Sequence, residues 1–403
     1  MVDSKYMTPK EWGMKMSKSA TEEYVRVSRS RYRAMKNRRA KGRILDEFCQ
    51  TSGYERKHAI KLLNGKAGRR QVRAGRKAMY SDDVKVVLKE LWSMSDQMCS
   101  KLLKPVMSLY MESYEKNVET VADEVRSKVL RISPATMDRL LRSEKIGTSK
   151  WRRRLGRSST KLKQAVPLRV SGWDVEEPGW LEADGVAHCG GSMAGVFIWS
   201  ITYKDIDSCW TEARATWNRS GEDVKEQTRR LEEALPFKIL GLDVDNGPEF
   251  LNWTLYRFCR KRKNPIEFTR SRPYHKNDNA HVEQRNWTHV RQLLGYDRLE
   301  DPEMVDLIND LYANEWSLFK NLYCPTMKLI SKERIGSRYR KKFDKPKTPC
   351  QRLLDSKHVP SLQKQRLSRM LKETDPYTLK QSIEQKLKRI MNHEQKTLQK
   401  RAS

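Results

Sequence analysis

No run of about 18 apolar residues, the length a membrane-spanning helix needs, occurs anywhere in the chain. Its first stretch, MVDSKYMTPKEWGMKM, also lacks the basic-then-apolar pattern of a secretory leader. A membrane protein and an exported one are therefore not expected, and the reading is of a soluble, cytoplasmic chain. Cysteine is sparse: the seven residues stand singly, with no CxxC pair and no Cys/His spacing suited to zinc. His188 and Cys189 are neighbours, but adjacent strand residues point to opposite faces, so a shared metal is not expected there. Acidic residues are also few beside the bases, 51 against 82, a formal net charge of +31. Such an excess seeks a polyanion, and with no membrane signal present, nucleic acid is the expected partner and the nucleoid the expected place.

With 403 residues the chain has room for several domains and needs no disulfide to fold. Residues 29–43, RSRYRAMKNRRAKGR, hold eight bases and no acid, and residues 1–43 read as a basic arm. Behind it Ile44, Leu45 and Phe48, then Ala59, Ile60, Leu62 and Leu63, recur at helical spacing about a Thr51-Ser52-Gly53 break. Two short helices joined by a turn predict a helix-turn-helix, with a plain helical hairpin as the other reading. A second helical unit runs from SDDVKVVLKELW to SPATMDRLLR, so residues 44–148 form the expected DNA-binding region. Its phosphate or base contacts would come from Arg56, Lys57, Arg139 and Arg142. Residues 149–174 are a basic linker expected along phosphates, with Arg152, Arg153 and Arg154 at its head.

From residue 175 to 315 the pattern is three short aromatic and β-branched runs, then helix, strand, helix, strand, helix. This predicts an α/β domain with a mixed five-stranded sheet. Residues 316–360 are expected as a small basic domain and 361–403 as a charged helical tail.

Phosphodiester chemistry at neutral pH asks for paired divalent ions held by a few carboxylates. Asp184 in the first strand, Asp245 ending the fourth and Glu283 opening the last helix are the candidates. Glu283 precedes Trp287, Val290 and Leu294 at helical spacing, so it is expected to head the stripe facing the sheet. Glu182 and Asp243 share faces with the candidate aspartates, and periodicity does not separate Asp243 from Asp245. Glu249 and Asp278 also read as first-turn acids, Asp205 and Asp207 as turn formers, and Pro248 as the first residue of a helix.

Three stretches, LEADGVAHCGGSMAGVFIWSITYKDID, LPFKILGLDVDNGPEF and FTRSRPYHKNDNAHVEQRNWTHVRQLLGYDR, resemble the integrase-type catalytic core of bacterial insertion-sequence transposases, relatives of retroviral integrases. The resemblance covers residues 175 to 300 strongly and the flanks weakly. It implies a ribonuclease H-like fold and an Asp, Asp, Glu set on Asp184 (EADG), Asp245 (DNGPEF) and Glu283 (HVEQRN). The 37 residues between Asp245 and Glu283 make an interval slightly longer than the retroviral one. His275 stands where the family pattern leads one to expect a basic residue. The resemblance further implies two Mg²⁺ or Mn²⁺ ions, and double-stranded DNA as substrate at element ends and target. It also implies homo-oligomers assembled on DNA, and two in-line substitutions: cleavage at the ends, then attack of the freed 3′-hydroxyl on target DNA. Arg270, Arg272, Tyr274 and Lys276 are then expected as DNA contacts, and Asn246, Asn277 and Asn286 as supports of the acids. Two alternatives use the same fold: a catalytically quiescent DNA-binding regulator, and a nuclease that cuts without joining.

Overall fold

The computed structural model describes residues 17–65, 79–142, 144, 175–271 and 285–402. The chain divides into two compact units, residues 1–79 and 80–403.

In the first unit, α1 (Lys18–Ala34), α2 (Arg38–Ser52) and α3 (Arg56–Leu63) pack on one another. Of residues 1–43, expected as an arm, those from Lys18 on instead run through α1 and into α2. Asn37 makes this possible, because its side chain caps α2 by accepting the Arg39 N–H at 2.8 Å. Gly53 ends α2 with φ 70°, a left-handed turn that glycine adopts without cost. The small core is Leu45, Phe48, Ala59 and Leu63, with the Phe48 ring stacked between Tyr24 and Tyr54.

The second unit begins with α4 (Asp82–Met94), α5 (Ser100–Asn117), α6 (Asp123–Arg131) and α7 (Pro134–Leu140). A five-stranded sheet follows: β1 (Trp180–Ala187), β2 (Trp199–Asp205), β3 (Thr211–Thr216), β4 (Gly241–Val244) and β5 (Glu267–Arg270). Its order is β3-β2-β1-β4-β5, antiparallel from β3 to β1 and parallel from β1 to β5. The mixed sheet expected from the strand pattern is therefore present. Leu181, Ala183, Leu242 and Val244 turn to one face, where α8 (Gly221–Ala234) and α9 (Trp253–Arg260) cover them. By alternation Glu182 and Asp184 turn to the other.

α9 does not start at Pro248. Asn252 is its cap, accepting the Leu255 N–H at 2.8 Å, and the intervening residues form a turn closed by Leu251 N–H to the Gly247 carbonyl. An asparagine that satisfies an otherwise orphaned N–H outweighs proline's preference for a first helical position.

After β5, α10 opens with wide π turns over Asn286–Arg291 and continues through Gln292–Leu294. The widened turn breaks the expected stripe: Val290 and Leu294 are buried, but Trp287 is 39% exposed and His289 is buried instead. α11 (Met304–Leu311) runs on through further π turns to Tyr323. From this helical run Asn309 and Asn321 each exchange two hydrogen bonds with the edge strand β3, at Ala215 and Thr211. Two side-chain amides thereby replace the missing neighbour strand. The chain then forms a hairpin, β6 (Leu329–Ile335) and β7 (Arg338–Phe343), followed by α12 (Pro349–Asp355), α13 (Ser361–Glu373) and α14 (Pro376–Ala402).

One hydrophobic core joins elements far apart in sequence. Leu88, Leu91, Leu103 and Met107 of the early helices share it with Ile198, Trp210 and Ala213 of the sheet region and with Trp316, Phe319 and Ile383. Asp96, in the turn after α4, ties the same regions electrostatically through Lys320 at 3.2 Å and Lys380 at 3.0 Å. Burial pushes its carboxyl up, but the two ammonium groups outweigh that and hold it at about 2. A carboxylate depressed from 3.8 contributes stability in full above about pH 4, and the contribution drains away as pH falls toward 2. Asp96→Asn, which leaves two enclosed cations without their anion, is expected to cost about 3 kcal/mol in urea unfolding at pH 7. The deficit should shrink at pH 2–3.

Candidate functional site

The last row of β1–β4 pairing is Ala183 with Val244. Asp184 and Asp245 are the next residue on each strand, so they stand side by side at the carboxyl end of β4, on the face away from α8 and α9. Neighbouring strands run about 4.8 Å apart, which brings the two carboxylates into one locality. One row deeper lie Glu182 and Asp243, also register partners.

The two rows differ in exposure. Glu182 and Asp243 are buried at 1% and 4%, and Asp243 Oδ1 accepts the Thr269 hydroxyl at 2.7 Å. Asp184 and Asp245 are half-buried at the rim. Asp245 thus differs from Asp243 in exposure.

Both rim aspartates are held. Asp184 accepts the Gly185 N–H at 2.8 Å on Oδ1 and the Asn286 amide at 2.6 Å on Oδ2. Asp245 accepts the Gly247 N–H at 2.9 Å, so it makes the turn and borders the site at once. Asn246 links strand ends: its amide donates to the Ser271 carbonyl at 3.0 Å and its oxygen accepts Arg270 at 3.1 Å. Arg270 itself is largely enclosed.

Glu249 was readable only as a first-turn acid, yet it does not serve α9, which starts later. Its side chain folds back toward the aspartates and is 8% exposed, and Oε2 accepts no hydrogen bond among the described residues. Burial first, and then the charge of Asp245, raise its carboxyl above the ordinary value, against its own backbone N–H and the charge of Arg219. A Cβ at position 247 would stand 2.5 Å from Glu249 Oε1 and 2.8 Å from Asp245 Oδ1. Glycine therefore keeps the space between these two carboxylates open. A buried oxygen with no donor among the described residues thus lies beside two anchored aspartates, although the three carboxylates do not gather within 4.8 Å of one another.

Of the remaining expected residues, Arg56 and Lys57 are exposed on α3, with Arg56 paired to Asp46. Arg139 and Arg142 are exposed at the end of α7, whose Met137 is buried. Glu283, Arg152, Arg153, Arg154, Arg272, Tyr274, Lys276 and Asn277 lie outside the described residues. Asp205 is a buried turn former, accepting the N–H groups of Gly179 and Ser208, each at 2.7 Å. Among the described residues, Asp301, Glu303 and His393 are the one trio of ligand-type side chains within 4.8 Å. The His393–Asp301 contact, at 2.9 Å, joins α14 to the segment before α11. No described helix is long and apolar enough to cross a membrane.

No protein-family model matches the chain. Among solved structures it is similar to the catalytic core domain of BIV integrase, at 18% identity and a TM-score of 0.29, over 45% of this chain and 96% of that one. It is 36% identical over 340 residues to the uncharacterized protein y4rM of Sinorhizobium fredii, across 84% of this chain and 96% of that protein. With a likeness of that extent over nearly the whole of the relative, the chain belongs to the same family as y4rM.

Proposed function

We propose that the chain is a DNA transposase: a divalent-metal-dependent polynucleotidyl transferase that binds element ends, cuts them and joins them to target DNA. One observation carries the reading. Asp184 and Asp245, far apart in sequence, stand on neighbouring strands at one sheet end, beside a buried glutamate oxygen that has no donor among the described residues. The motif pair DNGPEF and HVEQRN and the net charge of +31 support the same conclusion.

Asp184 and Asp245, completed by Glu283, would hold two Mg²⁺ or Mn²⁺ ions. Bound there, the ions would supply Lewis-acid polarisation of the phosphodiester and activation of the attacking oxygen. The chain's own residues prepare the site. Asn286 and the Gly185 N–H fix both oxygens of Asp184, the Gly247 N–H orients Asp245, and the Asn246–Arg270 link fixes the loop carrying Asp245. Arg272, Tyr274, Lys276 and Asn277 would contact DNA or support the acids, and Arg56, Lys57, Arg139, Arg142 and Arg152–Arg154 would grip duplex phosphates. Assembly into homo-oligomers on DNA belongs to the same proposal.

The test is an assay with labelled element ends, target plasmid and Mg²⁺ or Mn²⁺. Joined product is the expected result. Cleavage without joining would make the chain a nuclease, and binding without either would make it a regulator.

A further inference from the structure

The hairpin of β6 and β7 is built unlike the rest of the second unit. Its base is clamped: Thr326 and Lys347 exchange backbone hydrogen bonds, the Asp344 N–H donates to the Lys328 carbonyl while the Lys328 N–H donates to the Asp344 carboxylate, and Arg352 bridges Asp344 and Thr326. Beyond that root, every residue of both strands is exposed except the half-buried Ser331. A two-stranded ribbon with neither face covered is marginal in water. This one also leaves Ile330, Ile335, Tyr339 and Phe343 in solvent. Such a ribbon is built to be covered by something else.

The charges identify what. Lys332, Arg334, Arg338, Arg340, Lys341 and Lys342 face a single acid, Glu333. Lys332 lies directly opposite Lys341 in the pairing register, a like-charge pair that weakens the ribbon unless anions lie against it. By alternation the cations occupy both faces: Lys332, Arg334 and Lys341 on one, Arg338, Arg340 and Lys342 on the other. Lys332 also sits 4.6 Å over the Tyr339 ring, which presents an aromatic surface among the cations. A membrane-surface element gathers its apolar residues on one face and its bases on the other. A ribbon entering a duplex groove meets phosphate walls on both sides, and the major groove admits two strands.

We infer that residues 329–343 form a β-ribbon arm that enters a groove of double-stranded DNA, with its cations on the flanking phosphates. The choice of duplex as partner rests on the transposase reading. Binding tests the arm and joining tests that reading, so each can fail alone.

The experiment measures anisotropy of a short fluorescein-labelled duplex against KCl concentration, using the full chain. Each phosphate contact contributes about 0.9 to the slope of log K against log salt. Combining Lys332→Ser, Arg334→Ser and Lys341→Ser is expected to flatten the slope by about 2.7 and weaken binding at least about tenfold. The charge-keeping set Lys332→Arg, Arg334→Lys and Lys341→Arg should retain the wild-type slope. An unchanged slope in the serine variant overturns the inference, as does an equal loss in both variants, which would mark a structural role. Phosphatidylserine vesicles are run in parallel. Vesicle binding lost in the serine variant while the DNA slope stands would make the ribbon a membrane contact and overturn it too.

Discussion

Asp245→Asn is expected to abolish cleavage and joining, by on the order of a thousandfold or more, while leaving end binding nearly intact. Losing one carboxylate charge from a site that stabilises a developing phosphoryl transition state removes several kcal/mol, and each 1.36 kcal/mol is about tenfold in rate. The side chains are nearly the same size, and the Gly247 N–H retains an oxygen to bond. Asp243→Asn, only two residues away, should keep most of the activity. Asp243 is enclosed and bonded to Thr269 one row below the rim. Its amide variant is expected to lose stability instead, because an NH2 replaces Oδ2 in an enclosed place while Oδ1 still accepts the Thr269 hydroxyl. Single-turnover cleavage beside thermal melting separates the effects, and the opposite ranking of the two variants would refute the assignment of the metal-holding row.

The second large effect concerns the first unit. Removing residues 1–79 is expected to erase the preference for element ends, by about a thousandfold or more in the ratio of specific to nonspecific affinity. Weak, strongly salt-dependent binding by the second unit should remain. Removal of residues 1–148 would look like the same experiment on a sequence that reads as one long DNA-binding region. The structure predicts a different outcome. Leu88, Leu91, Leu103 and Met107 share a core with the sheet and the C-terminal helices, so that cut strips one side of the second unit and should leave it unfolded or aggregated. Competition binding and melting curves for both truncations check the pair. Unchanged end preference after removal of residues 1–79 would contradict the proposal that α1–α3 read DNA.

The contrast shows what kind of information the sequence carries. Strands β1 to β5 were legible because alternation and β-branched runs are local signals, and so was the Gly53 break between α2 and α3. The placement of Asp184 beside Asp245 depends on register between distant strands. The strand pattern made both residues candidates, and the resemblance of EADG and DNGPEF to a known catalytic core favoured Asp245 over Asp243. Local rules failed where two of them competed or where a partner was remote. Asn252 outcompeted Pro248 for the start of α9, and π turns moved Trp287 off the stripe. Glu249 was hidden because a first-turn acid and an acid folding back over a glycine look identical in one dimension. The β6–β7 ribbon escaped notice for the opposite reason: with both faces in solvent it carries no apolar alternation to read.

The central claim is that the Asp184–Asp245 pair promotes attack of a DNA 3′-hydroxyl on a target phosphodiester, with the target's own 3′-oxygen as the leaving group. Its most direct test supplies the purified full-length chain with a pre-cut labelled end, a target plasmid and Mg²⁺. Joined product is predicted with a 3′-hydroxyl end, none with a dideoxy end, and none with Asp184→Asn at matched end binding. Absence of joined product where ends are demonstrably bound, or joining undiminished in Asp184→Asn, would contradict it.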